Sequence, residues 1–233
     1  MKAYILGAGG VGSWLAPSMA MLIGREKIIV VDGDVLEKKN LNRQLFNDGD
    51  IGDNKAEALG SMYGLESVER FYSFGCMSHE PEDWIICCAD NHACRLAVLQ
   101  SCDEYRCKCI IAANEKTSAE AYLYKRQWQG TPLDPRVYYP SILTDTSDDP
   151  TRPEGCTGEA QRATPQLVSA NMMAASLAQW LFVFWHLKRP GLGRKVDDNM
   201  LSYRYRANMT MLETFKIGDT INDPRTNNDT GTV

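Results

Sequence analysis

The residues best suited to chemistry form four groups. The first is the turn Gly7-Ala8-Gly9-Gly10-Val11-Gly12-Ser13, set between an apolar stretch and a helical pattern. Gly7, Gly9 and Gly12 match G-x-G-x-x-G. Glycines there permit a tight turn and close backbone approach to phosphate, and the N-terminus of the following helix attracts negative charge. Asp32 closes the apolar run Ile28-Ile29-Val30-Val31, where an acid can hold a ribose. The second group is Asn40, Arg43 and Gln44, joined by Lys55. Arginine offers a planar fork for phosphate oxygens, the amides bind ribose or phosphate without adding charge, and lysine reaches a phosphate as a point charge. The third is Asp90 after the run Trp84-Ile85-Ile86-Cys87-Cys88-Ala89. One carboxylate there can hold Mg²⁺ alongside phosphates, or cap the next helix. The fourth is Cys156, in a polar stretch near Arg152 and Arg162 that would favour its thiolate. It is a candidate acyl-accepting nucleophile or a plain exposed cysteine.

The turn alone does not separate a nicotinamide dinucleotide from ATP. The added cation and amide donors suit a triphosphate better. The plainer alternatives are a glycine-rich turn without a ligand and a solvated polar loop. His79, His92 and His186 show no metal-ligand spacing, and His186 reads as a packed helix residue.

Alternating strands and helices must position these groups. The pattern predicts strands at about residues 2–6, 27–31, 68–74 (weaker), 84–89 and 109–113, with helices at 13–22, 55–63 and 93–105. Gly24 is a helix stop. Alternation of this kind implies an α/β fold: a Rossmann-like, doubly wound, mostly parallel sheet. Residues 119–125 alternate as an antiparallel strand does. Residues 130–163, rich in Pro, Asp, Thr, Ser and Gly, read as a long crossing loop. Thr164-Pro165 resembles a helix start, for a helix running to about Lys188. Strands at about 201–206 and 209–215 complete an antiparallel C-terminal extension. The expected organisation is a single domain over residues 1–217 and a disordered tail over 218–233, which is poor in apolar residues.

Composition narrows the class. With 233 residues and 44% hydrophobic residues, the chain can bury a sizeable core. Its formal net charge of −5 and lack of a basic run disfavour nucleic acid. The apolar run 177–187 is shorter than a membrane span and is interrupted by Gln179 and His186. No signal peptide is read at Met1, so a cytoplasmic location is expected. The eight cysteines include several in apolar segments, as buried reduced thiols would be, and none forms a C-x-x-C pair.

The motifs together resemble the ThiF/MoeB/HesA family of ubiquitin-activating-type adenylyltransferases. They are the Gly7–Ser13 turn, Val31-Asp32-Gly33-Asp34-Val35, Asn40-Leu41-Asn42-Arg43-Gln44, Ile51-Gly52 with Lys55-Ala56, and Ala89-Asp90-Asn91 with Arg95. The strong likeness covers about residues 3–114 and is that of a compact, PRTRC-like member. It implies ATP and Mg²⁺ as cofactors and adenylation of the C-terminal carboxylate of a small ubiquitin-like protein or peptide by a homodimer. Gly7, Gly9, Gly10, Gly12, Asp32, Asp34, Asn40, Arg43, Gln44 and Lys55 would hold the nucleotide. Asp90 would hold the metal, Arg43, Lys55 and Asp90 would act in catalysis, and Cys156 would accept the acyl group in a second step. The chain starts at its first strand, so the N-terminal arginine that many members lend to a partner subunit is expected to be missing. The zinc-binding C-x-x-C pairs of many members are missing too. A nicotinamide-dependent oxidoreductase, a non-catalytic ATP-binding half of a heterodimer and, least in keeping with the acidic balance, a tRNA-modifying enzyme are the competing readings.

Overall fold

The computed structural model describes residues 1–115, 117–145, 167–187, 204–208 and 213–216. Four short apolar runs make the centre of the sheet: β1 (Ala3–Leu6), β2 (Ile28–Val31), β4 (Trp84–Cys87) and β5 (Lys108–Asn114). Every residue of β1, β2 and β4 is buried, because both faces of a parallel sheet are covered. Ala3 and Ile5 face one apolar layer with Leu15, Leu59 and Phe182, while Tyr4 and Leu6 face another with Val98, Leu99 and Tyr122.

With β3 at Glu66–Val68, β6 at Ser118–Lys125, β7 at Arg204–Asn208 and β8 at Glu213–Lys216, the eight described strands run in the order β3-β2-β1-β4-β5-β6-β7-β8. The first five pair parallel. β6, β7 and β8 add an antiparallel end. Helices α1 (Gly12–Ile23), α2 (Lys55–Tyr63) and α3 (His92–Tyr105) follow β1, β2 and β4 as the periodicity predicts. α1 ends at Gly24, whose φ of 99° suits glycine. Two short helices, α4 (Pro135–Tyr138) and α5 (Ser141–Thr144), occupy the described part of the expected crossing loop. All seven described cysteines are free thiols, and six are buried, as expected of reduced core cysteines.

Two expectations need correcting. β3 covers Glu66–Val68, not 68–74. Among the described residues it is an edge strand paired with β2 alone, and that pairing ends at Val31↔Val68, before the Asp32-Gly33-Asp34 turn, which leaves residues 69–74 no described strand to pair with. The run 177–187 belongs to a 20-residue helix, α6 (Val168–Leu187). Its stretch Val168–His186 is long and apolar enough, by length and composition alone, to cross a membrane. Here Ala170, Ala174, Ala178, Leu181 and Phe182 are fully buried, and the helix packs on β5, β6 and α1. The helix begins after Leu167, whose carbonyl accepts from Ala170 and Asn171 N–H. The Thr164-Pro165 start, residues 201–203 and the 218–233 tail lie outside the described residues.

The loop left free after β3 is tied down by a directional relay. His79 Nε2–H donates to Tyr72 Oη (2.8 Å), Tyr72 O–H to Ser101 Oγ (2.8 Å), and Ser101 O–H to the Ala97 carbonyl (2.9 Å). His79 Nδ1 is buried without a partner, and burial holds the His79 pKa below its ordinary value. As pH falls below about 6.5, the unfolded chain takes up this proton before the folded one does. The stabilisation is therefore complete above that pH and is lost on acidification, at up to about 1.4 kcal/mol per pH unit for one proton. Urea midpoints are expected to drop between pH 7.5 and 5.5, and to drop less in His79→Gln. An equal drop in both would remove His79 as the cause.

Candidate functional site

The strand order reverses between β1 and β4, and the crevice beyond the carboxyl ends of such strands is where open α/β sheets bind ligands. A cavity of about 780 Å³ opens there, within the range of small-molecule sites. Gly7, Gly9, Gly10, Asp32 and Asp34 line its floor. Asn40, Arg43, Gln44, Lys55 and Asp90 line its sides. Ten of the twelve residues singled out from the sequence thus converge on one cavity.

Gly12 is set behind it, and Cys156 lies outside the described residues. Gly12 opens α1, where a Cβ would stand 1.8 Å from the Gly7 carbonyl oxygen. Its hydrogen lets the helix seat directly against the turn. Gly7 itself has φ 90°, donates its N–H to the Val31 carbonyl (2.8 Å) and lies so close to the Ala89 backbone that a Cβ would meet it at 3.0 Å. α1 has no side-chain cap. Among the described residues the N–H groups of Gly9, Gly10 and Val11 find no acceptor, leaving an anion-seeking nest at a helix N-terminus.

Asp32 is almost fully buried under this turn. Its carboxylate accepts Ala8 N–H (2.6 Å) and Asp34 N–H (2.8 Å), which fixes the turn against β2. Burial, the largest effect, raises its pKa against the pull of those two bonds. A carboxylate has about four lone-pair sites, so a ribose hydroxyl can still donate to it. Lys55 Nζ is bound to Asp34 Oδ2 at 2.8 Å with only 9% of its side chain exposed, so its charge is held at the cavity wall. Asn54 completes this corner. It caps α2 by accepting from Ala56 and Glu57 N–H, and it donates to the Asp32 carbonyl (3.0 Å).

The Arg43 loop is held from three sides. Asn40 is buried and accepts from Glu37 N–H (3.0 Å). The Arg43 carbonyl accepts from Trp14 Nε1 (3.2 Å) and from Asn171 Nδ2 (3.3 Å), and Leu45 N–H donates to Ser13 Oγ (3.1 Å). The Arg43 guanidinium spends Nη1 on Lys39 and Asn42, both at 3.2 Å. Gln44 is buried, and its Oε1 has no partner among the described residues. An unsatisfied buried acceptor is costly, and a ligand hydroxyl would relieve it.

Asp90 is exposed at the mouth. It is not the cap of α3; Asn91 is, through Oδ1 accepting from Cys94 N–H at 2.7 Å. That leaves the Asp90 carboxylate without a protein donor among the described residues. No group of three or more His, Cys, Asp or Glu that could hold a metal by itself exists among them.

The sequence does not single out several residues in and around the cavity. Arg70, Phe71 and Phe74 come from the loop after β3, where the sequence pattern predicts strand. Phe71 and Phe74 present exposed aromatic surface there, a platform on which a base can stack. Asn171 arrives from α6, 128 positions along the chain from Arg43. Asn54 alone had a local signal, an Asn directly before a helical pattern.

Comparison with known proteins agrees with this arrangement. The ThiF family model matches residues 1–63. Ubiquitin-like modifier-activating enzyme 5 of Drosophila persimilis is 31% identical over 127 residues, covering 46% of this chain and 32% of that protein. The Dictyostelium discoideum protein of the same name is 30% identical over 125 residues, covering 45% and 32%. The chain thus spans about a third of the length of the curated relatives it matches. Among solved structures, Escherichia coli MccB with ATP superposes with a TM-score of 0.65 at 20% identity, covering 92% of this chain and 62% of MccB. PaaA gives 0.60 at 16%, with 92% and 62% covered. At those identities the likeness is one of fold. The residues that the ThiF family model matches are those of the strand–turn–helix–strand unit that supplies the glycine turn, Asp32 and the Arg43 loop.

Proposed function

We propose that the cavity binds ATP and that the chain adenylates the C-terminal carboxylate of a small ubiquitin-like protein or peptide. The observation that carries this reading is the convergence of Arg43, Gln44 and Lys55 on the glycine turn. These donors exceed what the pyrophosphate of a dinucleotide needs and suit three phosphates. The ribose would lie over Asp32, the base against Phe71 and Phe74, and the phosphates along Gly9, Gly10 and Arg43.

A carboxylate oxygen of the acyl substrate attacks the α-phosphorus. The bond to the β,γ-pyrophosphate breaks, giving an acyl adenylate and pyrophosphate. No proton need move, so the chain's contribution is placement and charge neutralisation. Lys55, held by Asp34, and Arg43, held through its backbone by Trp14 and Asn171, are preorganised for that. Asp90, a single carboxylate, would hold Mg²⁺, which would supply charge neutralisation for the phosphates. Transfer of the acyl group to Cys156, with release of AMP, would be a separate later step.

The reading includes self-association. Met21, Met172, Met173 and Trp180 stand exposed on the neighbouring helices α1 and α6. Light scattering giving a mass near 26.1 kDa would remove that part of it. The catalytic test is ATP–pyrophosphate exchange dependent on a carboxyl-bearing partner. Relatives named as ubiquitin-like modifier activators and the peptide-bound MccB structures indicate which partners to try first.

A further inference from the structure

A second pocket, of about 410 Å³, adjoins the nucleotide cavity, and Asn114 at the end of β5 lines both. Its walls come from α3 (His92 and Arg95), β6 (Glu120) and β7 (Arg206), with Glu115 at the rim. α3 begins two residues after Asp90, so this pocket lies directly beside the mouth where the acyl carboxylate would enter.

The charges in it are unequal. Glu120 is already neutralised, since it accepts from the Tyr139 hydroxyl (2.6 Å) and is ion-paired with Arg204. Glu115 is exposed and engaged with Ser118. Arg95 and Arg206 form no ion pair among the described residues. Arg95 Nε is buried without any hydrogen-bond partner, and its Nη1 has only a long contact to His92 Nδ1 (3.5 Å). A buried guanidinium N–H without an acceptor is a costly arrangement that an anionic ligand would relieve. Two planar forks facing one pocket suit carboxylates in particular.

We infer that this pocket holds the segment just before the substrate's C-terminus, and that Arg95 and Arg206 select an acidic side chain within its last three residues. The inference rests on the adenylation reading for the direction of the tail. Each extended residue spans about 3.3 Å, and Asn114 lines both pockets, so a chain whose terminal carboxylate lies in the nucleotide cavity would have the adjoining pocket open to the few residues before it.

The test uses fluorescein-labelled hexapeptides Ser-Gly-Ser-Glu-Gly-Gly and Ser-Gly-Ser-Gln-Gly-Gly with free C-termini, titrated with the full chain at low salt and followed by anisotropy. The Glu peptide is expected to bind about tenfold tighter than the Gln peptide. In Arg206→Gln that preference should fall below about twofold, with ATP affinity unchanged. Arg95→Gln gives a second reading of the same effect. Equal affinities of the two peptides, absence of binding by both, or a preference that survives in both variants overturns the inference. A chain that discriminates the peptides but fails to bind ATP counts against the adenylation reading instead.

Discussion

Asp90→Ala is expected to lower partner-dependent ATP–pyrophosphate exchange by about 10²–10³-fold, a range typical of losing one preorganised electrostatic contact in a transition state. Its thermal midpoint should stay within about 1 °C of the unsubstituted chain, because exposed side chains without partners contribute little to stability. Asp90 is exposed, accepts no hydrogen bond among the described residues, and leaves the capping of α3 to Asn91. Nothing in the fold therefore depends on its charge. On the proposed reading only the ligand would depend on it, through a metal ion that Asp90 would hold beside the phosphates. A variant that keeps full exchange would take Asp90 out of the reaction. One that loses exchange only because it melts earlier would make it a structural residue.

Gly12→Ala and Gly9→Ala should separate two uses of glycine in one turn. A methyl at Gly12 would stand 1.8 Å from the Gly7 carbonyl oxygen, a backbone atom that cannot rotate away. Helix and turn must part, which costs on the order of 1–3 kcal/mol, or about 3–10 °C for a chain of this size. The nest of free N–H groups opens with it, so ATP binding is lost too. A methyl at Gly9 would meet only Gln44 Nε2, at an ordinary 3.7 Å, and would stand at the cavity floor. That variant should fold like the parent and bind ATP about tenfold or more weakly, since the methyl stands where phosphate must approach the backbone. Equal thermal midpoints for the two variants would contradict this division.

The central parallel strands and their helices were legible because each apolar run is short, fully buried and bounded by glycine or a polar cap. The helix expected from Lys55 to about Tyr63 is found over Lys55–Tyr63, between an Asn54 cap and Gly64. The site was legible where its residues lie close in sequence: the turn, Asp32 and the Arg43 loop all fall within one strand–helix–strand unit. What failed was non-local. The extent of β3 depends on where its single neighbour stops pairing, which no window around residues 68–74 contains. Asn171 sits in an apolar helix with no local pattern to mark it, yet it reaches the Arg43 carbonyl because α6 packs across α1. The apolar run 177–187 is by itself too short for a membrane span, but it extends into a helix whose alanines at 170, 174 and 178 bring it close against the sheet. Phe71 and Phe74 became cavity residues only once the loop after β3 was released from the sheet.

The central claim is that Arg43, Gln44 and Lys55 turn a generic dinucleotide turn into a triphosphate site. Calorimetric titration of one preparation with ATP and Mg²⁺, and separately with NAD, tests it most directly. The account predicts saturable binding of ATP at one site per chain, weakened by Arg43→Ala, and no measurable binding of NAD at the same concentrations. Saturable NAD binding with no response to ATP would contradict it.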